Sequence, residues 1–250
     1  MTPRRLSRAA LAAPAALAAL WLAGCAGEGA GPSPQKRESY FEVVKTYAAP
    51  GKGMVDLTYA GGSIWLADAD RAGLIYRLEP TTGSVLSSAG TSYGPPSAIC
   101  SDGAYLYVAA ADTGDVWRHK LSGRMEELEH FPTGLADIRG MFYRDAHFYL
   151  FDQETCGIYE FDRDWQPGAS WRVGEGEERI RGMTYADGRV WSADHRGGWL
   201  NRHWKNSYDV ERKFCTPGWH PAGLAWDGGY LFLGDAAAKR ISKLDISTAP

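Results

Sequence analysis

Residues 221–235, PAGLAWDGGYLFLGD, contain the pattern that decides the fold. A short apolar run leads to Trp226, a turn follows at Asp227 and Gly228, and a second apolar run ends at Asp235. Two apolar runs joined by a short turn that contains glycine predict a β-hairpin. The same pattern occurs four more times along the chain, so the chain consists of repeats.

The five copies of this hairpin are almost evenly spaced. Their first strands are centred on Leu57, Ile99, Met141, Met183 and Leu224, at steps of 42, 42, 42 and 41 residues. Less regular third and fourth apolar runs follow the hairpin in the first four copies, and no segment has a helical period. Repeats of about 40 to 45 residues with four short strands are typical of propeller blades. The sequence therefore predicts an all-β, five-bladed β-propeller of four-stranded blades.

The two ends of the repeat array predict how the ring closes. The fifth copy stops after its third strand at Leu244–Ile246, and an unassigned strand-like run, Tyr40–Tyr47, precedes the first copy. We expect this N-terminal strand to become the outer strand of blade five. A β-sandwich is the alternative, but it would not explain five equal steps.

The N-terminus has the layout of a secretory signal. Arg4, Arg5 and Arg8 precede an alanine- and leucine-rich stretch, residues 9–22, which is shorter than the roughly 20 strongly apolar residues of a membrane span. The residues Leu22-Ala23-Gly24-Cys25 that follow it resemble a bacterial lipobox.

The lipobox resemblance implies cleavage before Cys25 and attachment of lipid to its thiol. An ordinary secretory peptide with a chance cysteine is the alternative. Residues 1–24 are then a lipoprotein signal peptide, residues 25–39 a lipidated cysteine with a flexible tether, and residues 40–250 the propeller domain. We expect an exported protein that is lipid-anchored to the bacterial cell membrane or outer membrane.

Composition narrows the range of partners. The chain has 30 glycines, 13 tyrosines, 10 tryptophans and a formal net charge of −3. Such a turn-rich, aromatic chain without a basic surface is a poor candidate for binding nucleic acid.

The hairpin at residues 221–228 and 231–235 resembles blades of a bacterial superfamily that includes NHL-repeat proteins, virginiamycin B lyase and propeller-type glutaminyl cyclotransferases. The cyclotransferases are five-bladed, and their resemblance implies a catalytic glutamate in a Glu-Gly pair at the start of an inner strand. The equivalent positions hold Val55, Ser97, Arg139, Arg181 and Ala222. None is acidic, which argues against that chemistry unless the loop at residues 175–178 is shifted. The paired histidine and acid of the lyases are not found.

Candidate binding residues gather where the loops before the inner strands meet the turns between second and third strands. We name this end of the propeller the upper face. Its candidates are Arg139, Arg181, Glu154, Glu175, Glu177, Glu178, His195, Arg196, Trp219 and His220.

Two of these candidates occupy one repeat position in neighbouring blades. Arg139 and Arg181 could form a fork for a carboxylate or phosphate, because guanidinium groups bind such anions in a bidentate manner. Alternatively they pair with Glu154 or with the glutamates after Gly174. Trp219 and His220 lie in a loop stiffened by prolines, where Trp219 either presents a ring to a sugar or peptide or packs over the rim.

Acidic and sulfur-containing residues suggest structural roles. Asp68, Asp152, Asp194 and Asp235 share one blade position, where a carboxylate accepts backbone N–H bonds in the next turn; a metal ring is the alternative. The histidines show no metal-ligand spacing, so we expect no metal and no cofactor. Cys156 and Cys215 both fall in upper-face loops and are the expected disulfide pair, whereas Cys100 is expected to be a buried thiol.

The sequence favours a cell-envelope lipoprotein whose propeller is a non-catalytic module. Its upper face would bind, or act as a scaffold for, a peptide, glycan or protein partner. The alternative is a glutaminyl cyclotransferase-like or lyase-like propeller enzyme with an upper-face glutamate as general base.

Overall fold

Twenty β-strands make up the regular secondary structure of the computed structural model, which describes residues 39–70, 73–173 and 179–249. No helix occurs in these ranges, and hence none that could cross a membrane. The strands form five antiparallel sheets of four strands each, as the repeat predicts.

Strand β1 (Glu42–Ala48) comes first in the chain. Blade one consists of β2 (Met54–Ala60), β3 (Ser63–Asp68), β4 (Leu74–Leu78) and β5 (Val85–Gly90). Blade two consists of β6 (Pro96–Ser101), β7 (Tyr105–Ala110), β8 (Val116–Lys120) and β9 (Glu127–Phe131). Blade three consists of β10 (Ile138–Arg144), β11 (His147–Asp152), β12 (Gly157–Phe161) and β13 (Pro167–Arg172).

Blade four consists of β14 (Ile180–Ala186), β15 (Arg189–Asp194), β16 (Trp199–His203) and β17 (Val210–Cys215). Blade five contains β18 (Pro221–Trp226), β19 (Leu231–Asp235), β20 (Arg240–Asp245) and the N-terminal β1. In this blade β1 pairs with β20, from Glu42 opposite Asp245 to Ala48 opposite Arg240. The prediction that the N-terminal strand closes the ring is confirmed.

The hairpin between the first two strands of a blade follows from its turn residues. In blade one, Ala60 pairs with Ser63, and the two residues between them, Gly61 and Gly62, have φ values of 55° and 72°. A two-residue hairpin turn with positive φ at both positions matches the twist of the strands, and glycine reaches that conformation without steric strain. The glycine pair therefore sets the hairpin and its register.

The apolar core lies between blades. Five clusters of buried side chains each combine residues from two neighbouring blades, including the pair formed by blades five and one. The second strand of blade one, β3, is buried along its whole length because neighbours cover both of its faces. Burial of this kind gives apolar side chains about 1.5–3 kcal/mol each, which makes ring closure favourable.

The repeated aspartates connect two loops on the upper face of their blades. In blade one, Asp68 accepts bonds from the backbone N–H groups of Lys52 and Gly53, ahead of β2, and from that of Asp70 after β3. In blade three, Asp152 accepts bonds from Asp137 and Thr155 in the equivalent loops. The structural interpretation of these carboxylates is confirmed. Their hydrogen bonds hold in place the loops that form the candidate site.

Candidate functional site

The upper mouth of the channel is formed by the first residues of the inner strands. Arg139 is the second residue of β10 and Arg181 the second residue of β14, so the two side chains occupy one position in neighbouring blades. The pairing register of both inner strands shifts at this position, between Ile138 and Gly140 in β10 and between Ile180 and Met183 in β14. Such bulges redirect side chains, and here they place the two arginines beside one pocket.

Arg139 has an acidic partner that the sequence interpretation did not consider. Its Nε lies 2.5 Å from Oδ1 of Asp137, two residues earlier, and both side chains are about one-third exposed. Glu154, the partner suggested by the sequence, is exposed in the turn after β11 and forms no ion pair among the described residues. Asp137, the residue directly before β10, therefore neutralises Arg139.

Arg181 has no such partner. It is half-buried and forms no hydrogen bond or ion pair within the described part of the chain. Burial first, and the nearby charge of Arg139 second, lower the pKa of its guanidinium, while Asp137 acts in the opposite direction. The group stays protonated, because an arginine side chain does not lose its charge in proteins. Among the described residues, therefore, no carboxylate neutralises this cation at the mouth.

A pocket of about 110 Å³ opens between these side chains. Its lining residues are Asp137, Arg139, Gln153, Arg179, Ile180 and Arg181. Three arginines and one aspartate give it a formal charge of +2. A pocket of this size and sign suits a single carboxylate or phosphate group.

Two histidines extend the site toward blade five. His195, in the turn after β15, donates a hydrogen bond from Nδ1 to the Pro221 carbonyl at 3.3 Å, and its ring centroid lies 5.1 Å from that of His220. Burial first, and the charge of Arg181 second, lower the pKa of His195, so its imidazole is neutral near pH 7. With the proton on Nδ1, its Nε2 carries a lone pair that can accept a hydrogen bond.

The loop of Trp219 is held in place from below. The Thr216 hydroxyl donates to the Gly198 carbonyl at 3.0 Å, and Nη2 of Arg240 donates to the Pro217 carbonyl at 2.5 Å. The Trp219 side chain at the tip of this loop is 38% exposed. The structure therefore places a large, partly exposed aromatic ring directly before His220, on a braced part of the rim.

Some predicted residues are not brought to the mouth or cannot be placed. Glu175, Glu177, Glu178 and Cys25 lie outside the described residues, as does the tether up to residue 38. Arg196 is exposed, and its backbone N–H donates to Asp194. The buried Gln153, which lines the pocket, was missed because its blade position carries no repeated sequence signal.

The predicted disulfide between Cys156 and Cys215 is wrong. Both are free thiols, as is the buried Cys100, whose burial in β6 was correctly expected. Cys156 lies in the turn between β11 and β12 of blade three, where its thiol donates to the Gln153 carbonyl. Cys215 ends the outer strand of blade four. The two residues belong to different blades and to different strand layers, whereas a disulfide requires Cβ atoms about 3.5–4.5 Å apart.

An unpredicted carboxylate, that of Asp56, lies buried among the inner strands. Asp56 of β2 is completely buried and accepts backbone N–H bonds from Leu57 at 2.8 Å and from Ile99 of blade two at 3.0 Å. A third bond comes from Leu224 of blade five. Burial raises the pKa of Asp56 well above the ordinary aspartate value, although these N–H bonds act in the opposite direction.

Small residues make room for the Asp56 side chain. The other four blades have Ala98, Gly140, Gly182 and Gly223 at its repeat position. A Cβ atom on Gly182 would lie only 2.6 Å from Oδ1 of Asp56. One aspartate among four small residues was the sequence signal for this central group, and its role became clear only from the convergence of the inner strands.

The histidines that are fully enclosed have structural roles. His119 and His203 take the same position in blades two and four, where Nδ1 bonds to the carbonyl of Met125 and of Tyr208, respectively. His203 Nε2 also forms a hydrogen bond with the Ser192 hydroxyl at 2.8 Å. The side chains of His119, His203 and Ser192 are all buried and are not accessible to solvent. Within the described ranges, no group of three or more His, Cys, Asp or Glu side chains could hold a metal ion.

A larger cavity, of about 460 Å³, lies away from the mouth on the upper rim of blade one. Its ionisable lining residues include Lys52, Asp68 and Asp70. The Asp68 carboxylate is already bonded to backbone N–H groups on both sides. The smaller pocket is therefore the better candidate for a ligand-binding site, because it contains Arg181, whose charge has no acidic partner among the described residues.

Comparison with known proteins identifies the fold. No protein-family model and no curated protein sequence matches the chain. A Myxococcus xanthus glutaminyl cyclase superposes with a TM-score of 0.71 at 14% identity, covering 82% of this chain and 96% of that one. A chain of the nidogen/laminin complex superposes with a TM-score of 0.54 at 16% identity, covering 80% of this chain and 79% of that one.

A virginiamycin B lyase from Staphylococcus aureus, crystallised with quinupristin, superposes at 17% identity over 78% of this chain and 67% of that one. Its TM-score of 0.48 is too low to show a shared fold. Of these three structures, the two with TM-scores above 0.5 are an enzyme and a component of a protein complex, and both resemble this chain in architecture. They support the fold, whose five blades are shown by the sheet topology of this chain, and they establish neither activity, since fold does not determine function.

Proposed function

We propose that this protein is a lipid-anchored, exported binding module of the bacterial envelope that holds an anionic group of its partner at the upper channel mouth. The observation that carries this proposal is Arg181, a half-buried cation without an acidic partner among the described residues. Removing a charge from water is unfavourable unless an opposite charge and hydrogen bonds compensate for it. A bound anion would supply both.

The surrounding side chains support the same assignment. Arg139 is held by Asp137, so its position does not depend on the ligand. His195 and His220 continue the polar surface, and the braced Trp219 loop bounds it toward blade five. Preformed sites of this kind lose little conformational entropy on binding. The partner classes that fit are peptides, glycans and proteins that carry an acidic group.

The proposed location rests on the N-terminal sequence. A lipid on Cys25 would anchor the chain, and residues 26–39 would let the propeller extend from the membrane surface. The upper face would then meet partners at the envelope. Membrane attachment through Cys25 and ligand binding at the mouth are independent proposals, since neither requires the other.

An enzyme of the cyclotransferase type is the competing function. The shared propeller fold is compatible with it. The acid that does reach the channel, Asp56, has both carboxylate oxygens bonded to backbone N–H groups and has no exposed surface. A general base must reach the proton that it removes, so Asp56 does not fit that role. Release of ammonia from a peptide with an N-terminal glutamine would establish the enzymatic alternative.

The binding proposal can be tested with simple anions. Acetate and inorganic phosphate are titrated into the ¹⁵N-labelled full-length protein while its NMR spectrum is recorded. We expect saturable shifts at Arg181 and His195. The shifts should disappear in Arg181→Gln and persist in Arg124→Gln, which changes an exposed arginine in the turn between β8 and β9. Equal titrations of both variants would overturn the proposal.

A further inference from the structure

We infer that the anion recognised at the upper mouth is the carboxylate of an acidic sugar, a uronic-acid residue within a polysaccharide. In this arrangement the carboxylate binds Arg181, a ring hydroxyl donates to His195, and the sugar ring extends toward Trp219. The inference rests on the proposed function and specifies its ligand.

The charges of the mouth favour a single negative charge. Asp137 already neutralises Arg139, and Arg179 is exposed to solvent, which leaves Arg181 as the half-buried cation to be matched. His195 is neutral near pH 7, because burial and the neighbouring Arg181 lower its pKa. A phosphate dianion would bring a second charge close to the Asp137 carboxylate, and the further cation of the pocket lining, Arg179, is exposed and screened by water, so it offsets that charge only weakly. A carboxylate matches the site without that repulsion.

The hydrogen-bonding groups of the mouth favour a hydroxyl beside the carboxylate. Because Nδ1 of His195 donates to the Pro221 carbonyl, Nε2 presents an acceptor on a ring whose pKa is lowered by burial and by the nearby charge of Arg181. A ligand that satisfies both His195 and Arg181 must carry an acceptor and a donor within a few bonds of each other. A terminal uronic-acid residue meets this requirement, because one ring carbon separates its carboxylate from the carbon that bears the nearest ring hydroxyl.

The dimensions of the mouth place the remainder of the ligand on the rim. The pocket of about 110 Å³ has room for the acidic group but not for a sugar ring. The ring must therefore lie outside it, on the side where His195, His220 and the 38% exposed Trp219 follow one another. A rigid aromatic ring offers a flat apolar surface for the C–H face of a sugar at little entropic cost.

The donors at the mouth distinguish a sugar from a peptide C-terminus. Peptide carboxylates are commonly captured by consecutive backbone N–H groups, and extended peptides pair with an exposed strand edge. Here the anion donors are side-chain guanidinium groups, and the inner strands β10, β14 and β18 are each paired along one edge within their blades and packed against neighbouring blades. The side-chain pattern therefore argues against a peptide C-terminus and is compatible with the acidic sugar.

Isothermal titration calorimetry of the full-length protein tests this inference. The probes are trigalacturonate, its fully methyl-esterified form, and a free-acid tripeptide with its C-terminal amide. We expect trigalacturonate to bind and esterification to weaken binding by about tenfold or more, since it removes a charge-assisted hydrogen bond. Arg181→Gln should cause a similar loss, whereas Arg124→Gln should bind as the unaltered protein does.

The rim contact has its own variant. Trp219→Ala should weaken trigalacturonate binding by about tenfold while leaving the acetate-induced shifts at His195 unchanged, because acetate does not reach the rim. Binding of the tripeptide acid in preference to trigalacturonate would overturn the inference while the anion site itself stands. Acetate-induced shifts in the unaltered protein without any affinity for trigalacturonate would overturn the inference as well. If acetate caused no shifts in the unaltered protein, the proposed function itself would be refuted.

Discussion

Replacing Asp56 by alanine should strongly destabilise the propeller, because one carboxylate joins the inner strands of three blades. The substitution leaves the N–H groups of Leu57, Ile99 and Leu224 without their acceptor in a region closed to water. A buried donor that loses its partner costs about 1–3 kcal/mol, so three donors predict a loss of about 4 kcal/mol. For a domain of this size that loss lowers Tm by roughly 8–16 °C.

The assay is urea unfolding followed by tryptophan fluorescence, combined with calorimetric measurement of Tm. Asp56→Asn has nearly the same volume and keeps one acceptor oxygen, so we expect about half of the loss. Asp209→Ala, which removes an exposed carboxylate, should change the free energy of unfolding by no more than about 0.5 kcal/mol. A loss below about 1 kcal/mol in Asp56→Ala would refute the reasoning, since the three donors would then have found other acceptors.

Three further predictions concern pH, the channel axis and the anchor. Burial raises the pKa of Asp56 in the folded state. The contribution of Asp56 to stability is therefore complete below about pH 4 and is lost as pH rises through that raised pKa. Urea unfolding at several pH values should show this fall in the free energy of unfolding, and Asp56→Asn should remove it. Gly182→Ala, with φ of +81° and a Cβ 2.6 Å from Asp56 Oδ1, should lower the free energy of unfolding by more than about 3 kcal/mol. Gly188→Ala, with φ of +73° and open space, should lower it by only about 1 kcal/mol, and equal urea midpoints for the two would contradict the packing argument. Cys25→Ser should abolish incorporation of labelled palmitate and release the protein from the membrane fraction; unchanged labelling would exclude this cysteine as the lipidation site.

The mouth shows where prediction from sequence stops. Arg139 and Arg181 were identified because they share one repeat position, and the repeat determines where each blade begins. Asp137 was not considered as a partner, because whether a nearby acid contacts a given arginine depends on the bulge that turns the side chain. The predicted disulfide was wrong because two loops on the same face can still lie in different strand layers.

The sequence by itself determined the blade number, the hairpins, the buried strands and the closure of the ring by the N-terminal strand. Those features follow from apolar periodicity and turn residues, which act over a few residues and are repeated every 41 or 42 positions. Only the tertiary structure decided that Asp56 joins three blades, that Arg139 has an acidic partner whereas Arg181 has none among the described residues, and that Cys100, Cys156 and Cys215 form no disulfide. These properties depend on distances of a few ångströms between residues that are far apart in the chain, and such distances exist only once the five blades have closed into a ring.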